Sequence, residues 1–291
     1  MTVIGATAGI WTRVKGLEEP QNSYDIGKSN INHLLDEFKE YLQVDRGLAK
    51  KTVSQHFNVM NRFFNSFNVK PNELNKKHIR SYLSKYLDHS SSSRRNQIKS
   101  LRVFFRDFLE KPDIVSGFKL PPVPFKPPVI PSKTDLIEVY SSLPTLQNQT
   151  MFLLYASSGL RRNELTSLTI DDIDLDNRML LPKKTSRTKR SWFTFYNEEA
   201  ESILMKYLDT DDGKRVRLFK VTNPKWMRNK LSPKFLRSWF CSEMGRLGVP
   251  DRYVDAFCGR TPKSVLARHY TDYSSYKLKE IYDKAGLRVL S

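Results

Sequence analysis

The stretch Lys119-Leu-Pro-Pro-Val-Pro-Phe-Lys-Pro-Pro-Val-Ile-Pro-Ser132 divides this chain into two parts. It holds six prolines in fourteen residues. Proline lacks a backbone N–H and clashes with the preceding turn, so a helix cannot continue through such a stretch. The composition favours an extended, semi-rigid connector, and 291 residues are enough for two domains of ordinary size. We therefore expect a linker over 119–132 with one domain on each side.

Upstream of the linker, apolar residues recur at helical spacing. The segments that show this spacing are 31–42, 53–64, 76–87 and 98–108. Serines 90–93 offer hydroxyl groups that can cap the start of the last of these helices. The pattern predicts a small, all-helical domain over 28–118. Residues 1–27 show no sustained periodicity and are expected to form a tail or a loosely docked arm.

Downstream of the linker, helices alternate with short strands. Helical spacing covers 136–142 and 150–157 and returns from Glu198 onward. Between them, 178–182 and 192–196 are expected to be strands joined by a polar turn rich in Lys, Thr and Ser. The sequence therefore predicts a mainly α fold, in which a mostly helical domain over 133–291 carries a small antiparallel β-sheet.

Basic residues outnumber acidic ones, with 49 Lys and Arg against 31 Asp and Glu and a formal net charge of +18. A potential of this sign concentrates polyanions around the protein, so nucleic acid is the expected partner. The aromatic content of 12% argues against a disordered basic tail, which would be poor in aromatic residues.

The two cysteines, Cys241 and Cys258, lie 17 residues apart and outside any CxxC or zinc-like spacing. A disulfide framework and a structural metal are therefore not expected, and His56, His78 and His269 show no ligand spacing either. No stretch approaches the roughly 20 apolar residues of a membrane span, and the first residues lack the basic start of a secretory signal. We expect a cytoplasmic protein without a cofactor.

Three basic segments suggest the chemistry: Ser158-Gly-Leu-Arg-Arg-Asn-Glu-Leu165, Ser232-Pro-Lys-Phe-Leu-Arg-Ser-Trp-Phe240 and Gly259-Arg-Thr-Pro-Lys-Ser-Val-Leu-Ala-Arg-His-Tyr270. Cleavage of a phosphodiester without metal needs cationic donors on the non-bridging oxygens, where negative charge builds up in the transition state. Arginine suits this role because its planar fork donates two hydrogen bonds and stays charged. We predict that Arg161 and Arg237 clamp the phosphate, with Lys234 and Arg260 at the rim.

Tyr270 is the predicted nucleophile. A tyrosine hydroxyl in water has a pKa of about 10, so a tyrosine nucleophile needs a base or a dense positive field to attack at neutral pH. The leaving 5′ oxygen must then receive a proton from a general acid. The basic turn over 183–190 offers Lys184 first and Lys189 second, and their spacing does not separate them.

These segments resemble the tyrosine recombinase (phage integrase) family, and within it the integrases of archaeal viruses and plasmids. The family pattern Gly-Leu-Arg-x-x-Glu-Leu is present as Gly159-Leu-Arg-Arg-Asn-Glu-Leu165. This match implies that Arg161 is the first catalytic arginine and that Glu164 supports the site. The usual His-x-x-Arg box reads Lys234-Phe-Leu-Arg237 here, and lysine in the histidine place is typical of the archaeal branch.

The third segment resembles the family less closely. Arg260 matches the position that often holds histidine or tryptophan, but it lies one residue farther from the tyrosine than is common. Tyr253, Tyr273 and Tyr276 compete for the role of nucleophile, and only Tyr270 carries the family's preceding pattern.

The resemblance covers about residues 28–285 and implies a SAM-like core-binding domain, a linker and a catalytic domain. It implies strand cleavage through a 3′-phosphotyrosyl bond and exchange through a Holliday junction, without metal or nucleotide. The implied partners are double-stranded DNA at attachment sites and, on that DNA, a homotetramer with C-terminal segment exchange. The apolar stripe within 277–286 would pack on its own domain or on a neighbouring subunit. No small-molecule substrate and no membrane contact are expected.

A basic stripe is also predicted in the N-terminal domain. Arg95, Lys99, Arg102 and Arg106 recur at spacings of three and four, which would place them on one face of a helix. An unbroken basic face in a protein of this charge favours contact with DNA phosphates over simple solvation. Such contacts supply affinity and little sequence information.

The sequence thus predicts a site-specific integrase that integrates or excises a mobile element, acting in the host cytoplasm. A Xer-like enzyme that resolves chromosome dimers is the nearest alternative and differs in substrate. A non-catalytic DNA-binding protein on the same fold and a topoisomerase-like relaxing enzyme are the others. Residues 9–16 fit a further hypothesis, that they merely translate an attachment site within the gene.

Overall fold

A computed structural model describes residues 23–67, 69–183, 193–210, 216–220, 222–228, 231–262 and 264–291. Side chains are described from Ile31 onward, without that of Arg228. The chain forms two compact units that divide between Phe125 and Lys126. This division lies inside the proline-rich stretch. The domain bounds that the sequence suggests remain predictions.

The N-terminal unit is helical. Its elements are α1 (Ser23–Gln43), α2 (Lys50–Phe64), a 3-10 turn (Pro71–Glu73), α3 (Lys76–Ser84), α4 (Ser91–Arg102), a π-helical segment (Val103–Phe108) and α5 (Pro112–Val115). Helix α1 spans Ser23–Gln43 and so includes residues 23–27, for which the sequence predicts a tail or arm. The rest of that predicted tail, including residues 9–16, lies outside the described residues. Gly27 does not end the helix, because a glycine inside a helix costs only about 1 kcal/mol.

Buried aromatic rings form the core of this unit. Phe38 of α1 meets Phe104 edge to face, with 4.9 Å between ring centroids, and Phe63 of α2 meets Phe105 in the same way at 5.7 Å. All four rings are fully buried. Edge-to-face pairs add to the free energy gained by burying the rings, so they fix how α1 and α2 pack on the π-helical segment.

Helix α4 begins as the serine run predicts. The Ser90 hydroxyl accepts a hydrogen bond from the Ser93 backbone N–H at 3.2 Å. The helix changes to π geometry after Arg102. The sequence pattern did not predict this change, since the helical spacing ran without a break over 98–108. Phe104 and Phe105 are adjacent in sequence yet both fully buried, and the wider turn lets both rings enter the core.

The C-terminal unit is mostly helical with one small sheet. Its elements are α6 (Lys133–Ser141), α7 (Leu146–Ser158), α8 (Arg162–Leu165), a 3-10 turn (Ile170–Asp172), β1 (Ile173–Asp174), β2 (Met179–Leu180), β3 (Thr194–Phe195), α9 (Glu198–Leu208), a 3-10 turn (Lys225–Arg228), α10 (Pro233–Arg246), α11 (Asp251–Phe257), α12 (Val265–His269) and α13 (Ser275–Ala285). The predicted mainly α fold class is confirmed.

The sheet is antiparallel in the order β1-β2-β3. Leu180 of β2 pairs with Ile173 on one side and with Thr194 on the other. Strands β2 and β3 lie inside the two predicted strand segments. Strand β1 was not predicted, because two residues after an acidic turn are too short to show alternation.

Helix α7 is the central element of this unit, and all its residues from Thr150 to Ser158 are buried. A helix that is apolar all round is typical of a core. It ends at Gly159, whose backbone is left-handed with φ 65°. A Cβ at this position would lie 2.4 Å from the Phe240 ring, so both the turn and the close approach of α10 require glycine.

The C-terminal segment packs on its own unit. In α13, Leu278 and Tyr282 are buried, and the Tyr282 hydroxyl donates to the Ser157 carbonyl at 2.7 Å. Glu199 then binds the backbone of residues 289–291. Its carboxylate accepts hydrogen bonds from the backbone N–H groups of Val289 at 2.6 Å and of residues 290 and 291 at 3.0 Å.

We predict that Gly159→Ala destabilises the C-terminal unit by about 2–5 kcal/mol, because a left-handed alanine is strained and its methyl group overlaps Phe240. Urea unfolding followed by circular dichroism measures the loss. Gly248→Ala is the matched control, since Gly248 also has a positive φ of 83° but nothing lies within 4 Å of an added Cβ. It should cost only about 1–2 kcal/mol. Equal losses in both variants would contradict the packing argument.

Candidate active site

Arg161 lies three residues after Ser158, the last residue of α7, and immediately precedes the short helix α8. Its Nη1 atom donates to Glu164 Oε1 at 2.7 Å, and its backbone N–H donates to Glu164 Oε2, also at 2.7 Å. Glu164 is only 5% exposed. The carboxylate therefore fixes both the backbone and the guanidinium of Arg161, and the supporting role of Glu164 in catalysis stays a prediction.

Arg237 lies on α10 and reaches the same turn. Its Nη1 atom donates to the Gly159 carbonyl at 2.5 Å, and its Nη2 atom donates to the Cys258 carbonyl at 2.7 Å. Burial lowers the pKa of the Arg237 guanidinium below its usual value, and the positive charge of Arg161 acts in the same direction. The two predicted clamp arginines therefore lie close enough to affect each other electrostatically.

Arg260 lies two residues after Cys258, in the loop that follows α11. Its Nη1 atom forms an ion pair with Asp255 Oδ1 at 2.6 Å, and its Nη2 atom donates to Cys241 Sγ at 3.6 Å. Although burial acts to lower it, the pKa of Arg260 is raised above its usual value by the hydrogen bond to Asp255 and by the two thiols. The third predicted arginine thus joins the group around Arg237.

Lys234 lies in the first turn of α10, three residues before Arg237 and therefore on the same face. It is exposed, and its ammonium group makes no ion pair or hydrogen bond with any residue that the structure describes. Lys184 and Lys189, the alternative general acids, lie outside the described residues.

Tyr270 is in a different setting. It follows α12, a helix without a buried residue, and it is 77% exposed. Within the described ranges, no contact joins its side chain to Arg161, Arg237 or Arg260. The Tyr273 hydroxyl donates to the Ala267 carbonyl at 2.6 Å and so fixes the course of this segment. The structure therefore brings the arginines together and leaves the predicted nucleophile in solvent.

Sequence reasoning missed two groups at this site. Asp255 holds Arg260, and the thiols of Cys241 and Cys258 lie 3.3 Å apart beside Arg237 and Arg260. The spacing of the two cysteines carried no metal or redox motif. Only the fold brings them together, because α10 and α11 pack against each other.

Three residues of the predicted basic stripe make contacts within the N-terminal unit. Arg95 Nη1 donates to the Pro121 carbonyl at 2.8 Å, and Arg102 Nη2 donates to the Phe118 carbonyl at 2.6 Å. Arg106 lies in the π-helical segment and pairs with the neighbouring Asp107 at 2.6 Å. Lys99 is exposed on α4.

These contacts change what the stripe can do. Arg95 and Arg102 hold the start of the proline-rich segment, and a guanidinium has further N–H groups to offer a phosphate. Arg106 is shifted from the stripe by the π turn and partly neutralised by Asp107. Phosphate contact by the four residues stays a prediction, carried most directly by Lys99.

The described part of the chain shows no group of three or more His, Cys, Asp or Glu side chains placed to hold a metal ion. None of its helices is long and apolar enough to cross a membrane.

Two family models match the chain. Residues 34–113 match the phage integrase N-terminal SAM-like domain, and residues 128–285 match the archaeal phage integrase model. The second match alone covers more than half of the 291 residues. The helical fold, the arginine group and these matches define the class as DNA recombinases of the integrase type.

The chain belongs to the archaeal phage integrase family. Its similarity to curated relatives is low but spans nearly the whole length. It is 22% identical to tyrosine recombinase XerC of Thermodesulfovibrio yellowstonii, with 88% of this chain and 97% of the relative covered. It is 23% identical to tyrosine recombinase XerA of Thermococcus kodakarensis, with 89% and 97% covered.

The fold is also similar to that of a lambda integrase tetramer bound to a Holliday junction. The TM-score is 0.62 at 14% identity, with 88% of this chain and 86% of that chain covered. The predicted family, the enzyme class of strand-cleaving and rejoining recombinases, and DNA as the partner are confirmed.

We predict that Arg237→Lys lowers the rate of DNA cleavage by about 10²–10³-fold, the loss typical of removing one oxyanion donor. A lysine cannot donate to two carbonyls and also present a fixed fork to a phosphate. Single-turnover cleavage measures the rate. Arg246→Lys is the matched control, since Arg246 ends the same helix and contacts Glu243 at the surface. A rate within a few-fold of wild type for Arg237→Lys would contradict the clamp.

Proposed function

We propose that this protein is a site-specific integrase that cleaves and rejoins duplex DNA at attachment sites and so integrates or excises a mobile element. The observation that carries the proposal is the grouping of Arg161, Arg237 and Arg260. They come from segments separated by up to 99 positions. Arg237 bridges the carbonyls of Gly159 and Cys258. Arg161 lies close enough to add to the lowering of the Arg237 pKa by burial, and Arg260 contacts Cys241 on the same helix as Arg237. A fold that only bound DNA would have no need to bury one of these cations partly.

The chemistry follows from the charges. Tyr270 Oη attacks the scissile phosphorus, an Oη–P bond forms, and the bond from phosphorus to the 5′ oxygen breaks. Arg161 and Arg237 donate to the non-bridging oxygens as charge builds there, with Lys234 and Arg260 beside them. The tyrosine loses its proton and the 5′ oxygen gains one. One phosphate ester bond replaces another, so the reverse step can rejoin the strand without an outside energy source.

Lys184 is the proposed donor of that proton, with Lys189 as the alternative. Both belong to the basic stretch of sequence between β2 and β3. A lysine ammonium group can donate the proton that the leaving oxygen needs.

Assembly of the site requires Tyr270 to move toward the arginines. The α12 segment has no buried residue, so repositioning it breaks few core contacts. We expect DNA to bring this movement about, with a homotetramer forming on attachment sites and C-terminal segments exchanging between subunits. The lambda integrase tetramer on a Holliday junction supports this by fold alone.

The nearest second candidate is a Xer-like resolvase of chromosome dimers. The XerC and XerA relatives favour it, since each is matched over nearly its whole length. The archaeal phage integrase match and Lys234 in the histidine place favour integration. Either enzyme would act in the cytoplasm, that of the host if a virus or plasmid encodes the protein.

We predict that wild-type protein, incubated in EDTA with a library of nicked duplex sites that trap cleavage, forms a protein–DNA adduct that survives denaturation. Tyr270→Phe should bind the same DNA without forming the adduct, because it lacks the attacking hydroxyl. Tyr276→Phe is the matched control, being equally exposed at 80% and six residues away. Binding without any adduct in wild type would favour a non-catalytic DNA-binding protein.

We predict that Lys184→Ala slows cleavage of normal DNA by about 10²–10⁴-fold, the usual contribution of a general acid. A substrate with sulfur in place of the leaving 5′ oxygen should restore the rate, because a thiolate leaves without protonation. Lys189→Ala tests the alternative on the same two substrates. The lysine whose loss is rescued by sulfur is the proton donor, and no rescue in either variant would exclude both.

A further inference from the structure

Cys241 and Cys258 are the two cysteines of the chain, and the structure places them together. Their Sγ atoms lie 3.3 Å apart. Cys241 is half-buried on α10, one turn after Arg237, and Cys258 is 1% exposed at the end of α11. Neither thiol has a part in the proposed cleavage reaction.

We propose that Cys241 and Cys258 form a reversible dithiol–disulfide site whose oxidation ties α10 to the end of α11 and stabilises the arginine group between them. The site acts on the stability of the enzyme and is separate from the chemistry at the phosphate.

The geometry favours closure. A disulfide has an S–S distance of about 2.05 Å, so the two sulfurs must approach by about 1.2 Å from 3.3 Å. Both segments are already held in place, because Arg237 is part of α10 and donates to the Cys258 carbonyl at 2.7 Å. The bond would therefore form between elements that are already packed together.

The environment also makes one thiol reactive. The hydrogen bond from Cys258 lowers the pKa of Cys241 below its usual value against the opposing effect of burial, and the charges of Arg260 and Arg237 add to the lowering. The pKa of Cys258 is raised well above its usual value by the bond to Cys241 and by burial. Cys241, which is also the more exposed of the two, is thus the thiol that more readily becomes the attacking thiolate, and Cys258 is the resolving thiol.

The reaction balances with a small disulfide, such as oxidised glutathione, as the oxidant. The Cys241 thiolate attacks the small disulfide, forms a mixed disulfide and releases one small thiolate. Cys258 then loses its proton and attacks Cys241 Sγ, and the second small thiol leaves. Counted from the dithiol, with the proton that Cys241 gives up on ionising, the protein loses two electrons and two protons, and one small disulfide becomes two small thiols.

The bond should stabilise the fold without displacing the arginines. A loop of 17 positions is closed, which restricts the unfolded chain. Arg237 keeps its two carbonyl partners, and Arg260 keeps Asp255 at 2.6 Å although it loses the negative sulfur. The oxidised enzyme should therefore still cleave DNA, and it should do so at temperatures that unfold the reduced enzyme.

The test uses the full chain, incubated with reduced or oxidised glutathione, then denatured and alkylated with iodoacetamide. We expect two alkylated thiols after reduction and none after oxidation, with a mass lower by two hydrogens and no disulfide-linked dimer. The melting temperature of the oxidised protein should rise by about 6–12 °C. Dithiothreitol should reverse both changes.

Cys241→Ser and, separately, Cys258→Ala are the control variants, and oxidised glutathione should leave their melting temperatures unchanged. Should a variant fail to fold, the thiol count and melting temperature of wild type still decide the matter. Two alkylated thiols after oxidation, a lasting mixed disulfide, a dimer linked between chains, or a disulfide that does not raise the melting temperature would each overturn the proposal. None of these readouts depends on DNA cleavage, so a failure of the proposed function would be seen separately.

Discussion

The hydrogen bond from Arg237 Nη1 to the Gly159 carbonyl is the contact on which the site depends. It exists because α7 ends in a left-handed glycine that allows the Phe240 ring, and with it α10, to approach the turn. The same turn sends the chain into α8 and so places Arg161. One missing Cβ therefore sets the position of two cations that lie 76 positions apart in the sequence.

The three arginines carry like charges that repel one another, so other groups must hold them in place. Here each arginine has its own partner: Glu164 for Arg161, the carbonyls of Gly159 and Cys258 for Arg237, and Asp255 for Arg260. These contacts offset the repulsion and the loss of hydration in the free protein. In the proposed mechanism a phosphate would meet donors that are already oriented, so little reorganisation would be needed during reaction.

Much of the fold could be predicted from local patterns. Helical periodicity and the serine cap at Ser90 concern neighbours in sequence, and the helices of the structure follow both. The π-helical segment, strand β1 and the carbonyl partners of Arg95 and Arg102 could not be predicted, because they depend on packing and on contacts between distant residues. The site divides in the same way. The motifs gave candidate arginines, whereas Asp255 and the thiol pair needed the folded arrangement of α10 and α11.

The binding of the chain end by Glu199 has a consequence for assembly. A C-terminal segment that crossed to a neighbouring subunit would meet an identical Glu199. The segment would then make the same hydrogen bonds that it makes within its own subunit. Closed monomers and exchanged rings would then differ little in enthalpy, and the balance would rest on chain entropy and local concentration. If several subunits assemble on one DNA site, as proposed above, the DNA would supply that concentration, and the nucleic acid itself would act as the switch between the two forms.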